Sequence, residues 1–365
     1  MDRGVGGVAG PGGYRRQERG RAVDVVGGVI LGGCATWSLI SAAGRDARPE
    51  GVLLAVFAVA AGYACGRISG TLLPVGAASA VAVAALCLAV VSPHGVPGVY
   101  TSTPVQPGQL GATAGLLVLA AGAACAAAAA AGPGATRLLL RIFAFAVVCT
   151  AVALASVTGA VAAAGVLLCA LATSRMQRRA IALLGLALAA ALVTAVSWGV
   201  AKDALPDGLT DSLKGGLTHH RVALWHDAVA LAEADPVRGA GPGGFGVRST
   251  TALDSVGADG KPHSAPLQQA AEQGVPGVVL LATAFGWLLY GLWRSPRPTP
   301  VVLSAAAALT ALAVVASASN ALSFAPVTAG AGLLAGLATA RVGVGDVRES
   351  EGRASPAAPG LASRA

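Results

Sequence analysis

The sequence predicts an all-α polytopic membrane protein, with about ten transmembrane helices and one large extracytoplasmic loop that contains short helices. Three observations carry this. Of 365 residues, 55% are apolar and only 12% are charged, about half the charged share of a soluble domain. Mean hydropathy is +0.70. Apolar runs recur along the whole chain, and one membrane-crossing helix needs about 20 such residues. Ten of them use roughly 200 positions and leave roughly 165 for loops and tails. The 50 Gly show no period of three and lie among Ala, Val and Leu, which excludes a collagen-like or disordered chain.

The spans are expected at 22–43, 51–66, 71–92, 110–131, 138–155, 160–173, 180–200, 274–293, 300–319 and 327–341. The first follows Arg15, Arg16, Arg19 and Arg21, but it is too long for a signal peptide and a second span follows at once. With the N-terminus cytoplasmic, the inner side carries 17 basic residues and the outer side 8. That asymmetry fits the positive-inside rule and places both termini in the cytoplasm of a multi-pass cell-membrane protein. The resulting layout is a disordered tail at 1–21, seven helices in 22–200, an extracytoplasmic catalytic loop at 201–273, three helices in 274–341 and a disordered tail at 342–365.

The net charge of +8 does not point to nucleic acid, because the basic residues stand in short runs between apolar stretches. Cys34, Cys65, Cys87, Cys125, Cys149 and Cys169 all fall within apolar stretches. They read as small core residues rather than a disulfide framework or a metal site.

Ionisable groups concentrate in the long loop. Residues 201–273 hold nine acidic residues, six basic ones and four of the five His. Thr218 caps a predicted helix from about 219 to 234 that stops before Pro236. Val222, Trp225, Val229 and Ala232 give that helix one apolar stripe, to lie on the membrane surface or pack on the bundle. Arg221 and Trp225 are one turn apart and share a face. Residues 239–244 match G-x-G-x-x-G, but no strand precedes them and Pro242 interrupts them. A tight turn with exposed backbone N–H groups, able to approach an anion, fits better. Leu267, Gln268, Gln269 and Glu272 suggest a short helix leading into the eighth span. His219, His220 and His226 fit no standard ligand spacing, so no metal and no other cofactor is expected.

Arg221-x-x-x-Trp225, then Pro236-x-x-Gly239-x-Gly241-x-Gly243-x-Phe245, then His263-Ser264-x9-Gly274-x-x-Gly277 appear in that order. This constellation resembles the O-antigen ligase and polymerase superfamily, whose members carry such motifs in a large outer loop between late helices. The resemblance implies a metal-independent, inverting membrane glycosyltransferase. It would take a glycan from an undecaprenyl-diphosphate carrier on the outer leaflet and pass it to an acceptor hydroxyl on a glycan or a lipid, among membrane lipids.

Within that frame Arg221 is the candidate for the leaving diphosphate, because a guanidinium grips two phosphate oxygens at once. His263 is the candidate base towards the acceptor, or its orienting hydrogen-bond partner. Many relatives also carry Ser-Arg-Gly near an earlier outer-side helix. Here the nearest stretch is Ser156-Val157-Thr158-Gly159, without the Arg. Arg248 and Arg238 are the candidate substitutes in donor binding. His220 is a candidate to line the site. Trp225 reads first as an interface anchor and second as a sugar platform. Glu272 is expected to support Arg221 or a backbone N–H, or to join the chemistry. Two other readings compete: a polysaccharide transporter or flippase, and a catalytically degraded relative acting as a scaffold. The chain shows no internal repeat and almost no charge within its spans, against the transporter pattern.

Overall fold

The computed structural model describes residues 11–91, 107–173, 178–204, 218–254 and 260–341. All secondary structure among them is helical. In chain order the elements are α1 (Pro11–Ala42), α2 (Glu50–Leu72), α3 (Pro74–Val91), α4 (Pro107–Ala130), α5 (Ala135–Ala153), α6 (Val157–Ala172) and α7 (Arg179–Ala201). There follow α8 (His219–Ala234), α9 (Phe245–Arg248), α10 (Thr250–Leu253), α11 (Ala265–Arg294), α12 (Thr299–Ser317), a 3₁₀ turn (Ala321–Ser323) and α13 (Ala325–Thr339). Eight helices are long and apolar enough to cross a membrane. Two more apolar helices, α6 and α13, are shorter at 16 and 15 residues. Each expected span coincides with one of these ten. The protein is a multi-pass helical membrane protein.

α4 is the axis of the bundle. Nearly all of its membrane window is buried, while α2, α5 and α7 bury under a fifth of theirs and turn the rest outward. The outward residues are apolar, among them Leu54, Phe57, Leu139, Phe145, Leu184 and Leu192. That inversion of soluble packing is what a bilayer demands. Because lipid tails are as apolar as Leu, helices associate there through close fit between small residues. α2 and α13 show it plainly. A Cβ added at Gly62 or Gly66 would strike the backbone of Ala329 or Leu333, and one at Gly332 or Gly336 would strike Val59 or Tyr63.

Several boundaries differ from expectation, each for a physical reason. α2 runs on to Leu72, because Gly66 and Gly70 pack on α13 and the stop comes only at Pro74, which opens α3. α1 starts at Pro11, inside the segment expected as tail. Extending an existing helix needs propagation without a new nucleus. Residues 1–10 and 342–365 of the expected tails lie outside the described residues, as does most of the 93–109 loop. The cysteines correct the sequence reading. Only Cys125 is buried; Cys65, Cys87, Cys149 and Cys169 are exposed on outward helix faces, where a thiol is apolar enough for lipid contact.

The helices have two distinct ends. At one, Arg67, Arg179 and Arg297 donate to the backbone carbonyls of Thr339, of Ser295 and Leu292, and of Ala340, Gly70 and Arg341. Arg67 also pairs with Asp24 at 3.2 Å. At the other end α7 finishes, α11 begins and α8 to α10 pack together.

Candidate functional site

α8 forms where the sequence reading put it. The Thr218 hydroxyl accepts from the Arg221 N–H and Asp235 ends the helix just before Pro236. Its buried residues Val222, Leu224, Trp225, Ala228 and Val229 form one face. That face joins Val200 and Ala201 at the end of α7, Phe245, Ala252, and Leu267 and Ala271 of α11 in a small separate core. The stripe therefore packs on the end of the bundle.

α11 is two helices joined at Gly274, whose φ of 66° and ψ of −163° break the ladder. The 20 residues after the break suffice to cross a bilayer, and 265–273 form a lead-in that packs against α8. A helix break leaves carbonyls without partners, which is costly when buried. Here three of them find donors from elsewhere in the chain. Ala240 N–H donates to the Ala271 carbonyl at 2.7 Å, Gly241 N–H to Glu272 at 2.9 Å, and the Trp37 indole to Gln273 at 3.0 Å. Val275 N–H, just past the break, donates to the Pro236 carbonyl at 2.8 Å.

This contact explains the glycine spacing. Gly239 and Gly274 both have positive φ, and a Cβ at either would collide with the opposing backbone, Ala271–Gln273 or Pro236–Val237. A Cβ at Gly277 would crowd Gln273 and Gln269. The turn does present N–H groups to an anion, as the sequence suggested, and the anion is the chain's own. Glu272, 3% exposed, accepts from the Gly243 and Phe245 N–H groups and from Gln268. Burial pushes its carboxyl up to about 7, against the pull of those donors. Glu272 is thus held by backbone N–H groups of the turn.

The turn is also clamped to the α1–α2 connection. Arg45 donates to the Gly239 carbonyl and pairs with Asp235 at 2.9 Å. Arg48 N–H donates to Pro242 at 2.7 Å. Arg238 donates from one nitrogen to the Ile40 and Ala43 carbonyls, both at 2.8 Å, capping the end of α1. One nitrogen of Arg238 is thereby engaged with the fold.

On the other side of the same core stand Arg221 and His263. Trp225 is 2% exposed, and its indole N–H donates to the Pro262 carbonyl at 2.9 Å. It is thus neither interface anchor nor open sugar platform, since its ring fills the core. What it does is fasten the residue before His263 to α8, one turn from Arg221. His263 itself is half-buried with φ of 54°, a left-handed conformation uncommon outside Gly. Ser264 follows as the N-cap residue of α11, wholly buried, and its carbonyl accepts from Gln268. Arg221 is half-buried, and burial pushes its guanidinium below the usual value. Among the described residues no carboxylate pairs with it. His220, beside Arg221 on α8, and Arg248, at the end of α9, are both exposed. His226 pairs with Asp203 at 3.4 Å. Among the described residues no group of three His, Cys, Asp or Glu could hold a metal ion.

Over residues 142–282 the chain matches the O-antigen ligase family. The match runs from α5 to the membrane part of α11, so it takes in the capped break and the Arg221–His263 corner. The family read from the motifs is the family whose model matches this segment. No curated protein and no solved structure matches the chain.

The sequence does not point to Arg45 and Trp37, which reach the matched segment from outside it, or to Asp235 within it. Arg45 and Trp37 lie about 200 positions from their partners, and no spacing rule reaches that far. In the segment expected to hold the family's Ser-Arg-Gly, Ser156 caps α6 by accepting from Gly159, and Val157 and Thr158 are exposed.

Proposed function

We propose that the protein is a membrane glycosyltransferase of the O-antigen ligase or polymerase type. It moves a glycan from an undecaprenyl-diphosphate carrier to an acceptor hydroxyl on the outer face of the cytoplasmic membrane, without a metal and with inversion. Both termini and the Arg-rich helix ends face the cytoplasm, and all ten apolar helices cross. Residues 201–273 then stand outside as the catalytic part.

The observation that carries this reading is Arg221: a half-buried guanidinium without a carboxylate partner among the described residues, whose α8 is tied through Trp225 to the residue before His263. Burying a cation without an anion is unfavourable, and a diphosphate is an anion of the right geometry for a guanidinium fork. As the glycosyl bond breaks, charge grows on the leaving diphosphate and Arg221 holds it more tightly than in the ground state. His263 takes the proton of the acceptor hydroxyl as that oxygen attacks the sugar carbon from the opposite face. Arg248, exposed at the end of α9, assists the donor, and His220, next to Arg221 on α8, contributes to the same site.

The test is transfer from a lipid-linked glycan in membranes carrying Arg221→Ala or His263→Ala. Each is expected to lower transfer by about 10²–10⁴-fold at unchanged expression. Full transfer in both variants would end this reading.

A further inference from the structure

At the end of the bundle opposite α8 lies a cavity of about 90 Å³. It sits between the closing turns of α4 and α6 and the opening turns of α5 and α12. Arg137 and Arg141 of α5, Thr173 and Ser304 line it beside Cys125 and Leu171, and no acidic residue does. The two Arg are one helical turn apart and share a face. Arg137 Nη2 donates to the Ala131 carbonyl at 2.9 Å, which fixes the guanidinium in place. Its Nε is buried without a partner among the described residues. The Thr173 and Ser304 hydroxyls give their protons to the Ala170 and Pro300 carbonyls, so recognition of a guest falls to the guanidinium groups.

The depth of the cavity selects the guest. Arg141 stands among Leu138, Leu139 and Ile142, all more than half exposed on the outward face of α5. An Arg in such a run is costly in hydrocarbon, and it persists where it finds an anion or a polar cavity. Arg137 and Arg141 stand in the opening turns of α5 beside outward leucines, and headgroup phosphates are the anions found at the ends of membrane-crossing helices. Arg178 and Arg179 begin α7 at the same end, and basic pockets between helices are where anionic headgroups dock.

We propose that this cavity binds the phosphate of an anionic glycerophospholipid from the adjacent leaflet, held between Arg137 and Arg141. The acyl chains lie along the outward face of α5. The site is separate from the Arg221 corner, and its occupancy does not depend on glycan transfer.

The experiment is native mass spectrometry of the detergent-purified full chain exposed to phosphatidylglycerol, phosphatidylcholine or inorganic phosphate. The expected result is retention of phosphatidylglycerol alone, undisturbed by excess inorganic phosphate. R137Q/R141Q is expected to weaken that retention by about thirtyfold, from the loss of two basic residues at an anionic surface. Leu171→Trp keeps both cations, obstructs the rim and is expected to weaken it as well; it decides the question if the double variant fails to fold. Equal retention by either variant, equal retention of phosphatidylcholine, or displacement by inorganic phosphate would overturn the proposal, the last by marking a soluble-anion site.

Discussion

The Gly-rich turn at 239–244 and the corner holding Arg221 and His263 border one small core, yet they handle polar groups in opposite ways. In the turn the backbone groups and the Glu272 carboxyl are matched within the chain. Its N–H groups meet the carbonyls and carboxylate of 271–272, and its neighbours Arg45 and Arg238 cap carbonyls. In the corner a half-buried guanidinium has no carboxylate among the described residues, and a His is held with a left-handed backbone. A segment that formally matches a phosphate-binding motif is thus spent on holding a broken helix, and the unmatched charge stands elsewhere. Strain and unmet charge are features of sites, whereas matched groups are features of scaffolds.

If that contrast is right, variants on the two sides separate into different readouts. Arg221→Ala and His263→Ala are expected to lose transfer with little change in thermal unfolding. Gly274→Ala belongs to the other class. It places a Cβ against the Pro236 and Val237 carbonyls at a φ that L residues seldom adopt. About 3 kcal/mol or more of destabilisation is expected, read as a fall in melting temperature in detergent. A Gly274→Ala protein that melts like the wild type would erase the distinction between scaffold and site.

Glu272 sharpens the comparison through pH. Its carboxyl is raised in the fold to about 7, mainly by burial, so ionisation is easier in the unfolded chain. The stability linked to its protonated form is full below about pH 4 and is lost as pH rises through about 7. Wild type is therefore expected to lose stability between about pH 4.5 and 7, on the order of 3 kcal/mol, and to level off above. Glu272→Gln should flatten that slope while keeping an acceptor for the turn. An unchanged slope would mean that Glu272 does not titrate as a buried scaffold carboxyl.

Much of this was legible in the sequence where local signals agree. α8 was readable to the residue because a Thr cap, an apolar stripe and Pro236 all delimit the same segment. The turn's exposed N–H groups were readable from Gly and Pro alone. Their partner was not, since Glu272 lies some 30 positions on and only folding brings it there. Trp225 departs from its expected place for a related reason. An aromatic residue in a membrane protein suggests the lipid interface, and nothing local reveals that Pro262 waits to accept its N–H. The cysteines show the converse. An apolar run reveals that a residue is shielded from water, but not whether protein or lipid shields it.

Trp225 provides the smallest and most discriminating test, because it belongs to both regions. Trp225→Phe keeps most of the ring in the core and removes the one donor to Pro262. A net hydrogen bond is worth about 1 kcal/mol, so a modest fall in melting temperature is expected. The informative part is the activity that accompanies it. The lost bond frees the residue next to His263, whose backbone conformation is uncommon and needs its surroundings to hold it. Transfer should then fall by more than the stability change accounts for, with kcat lowered and KM for the lipid-linked donor little altered, since Arg221 keeps its place on α8. A proportional loss in both would mean that Trp225 serves only the core, and that the corner and the turn are less distinct than their hydrogen bonding indicates.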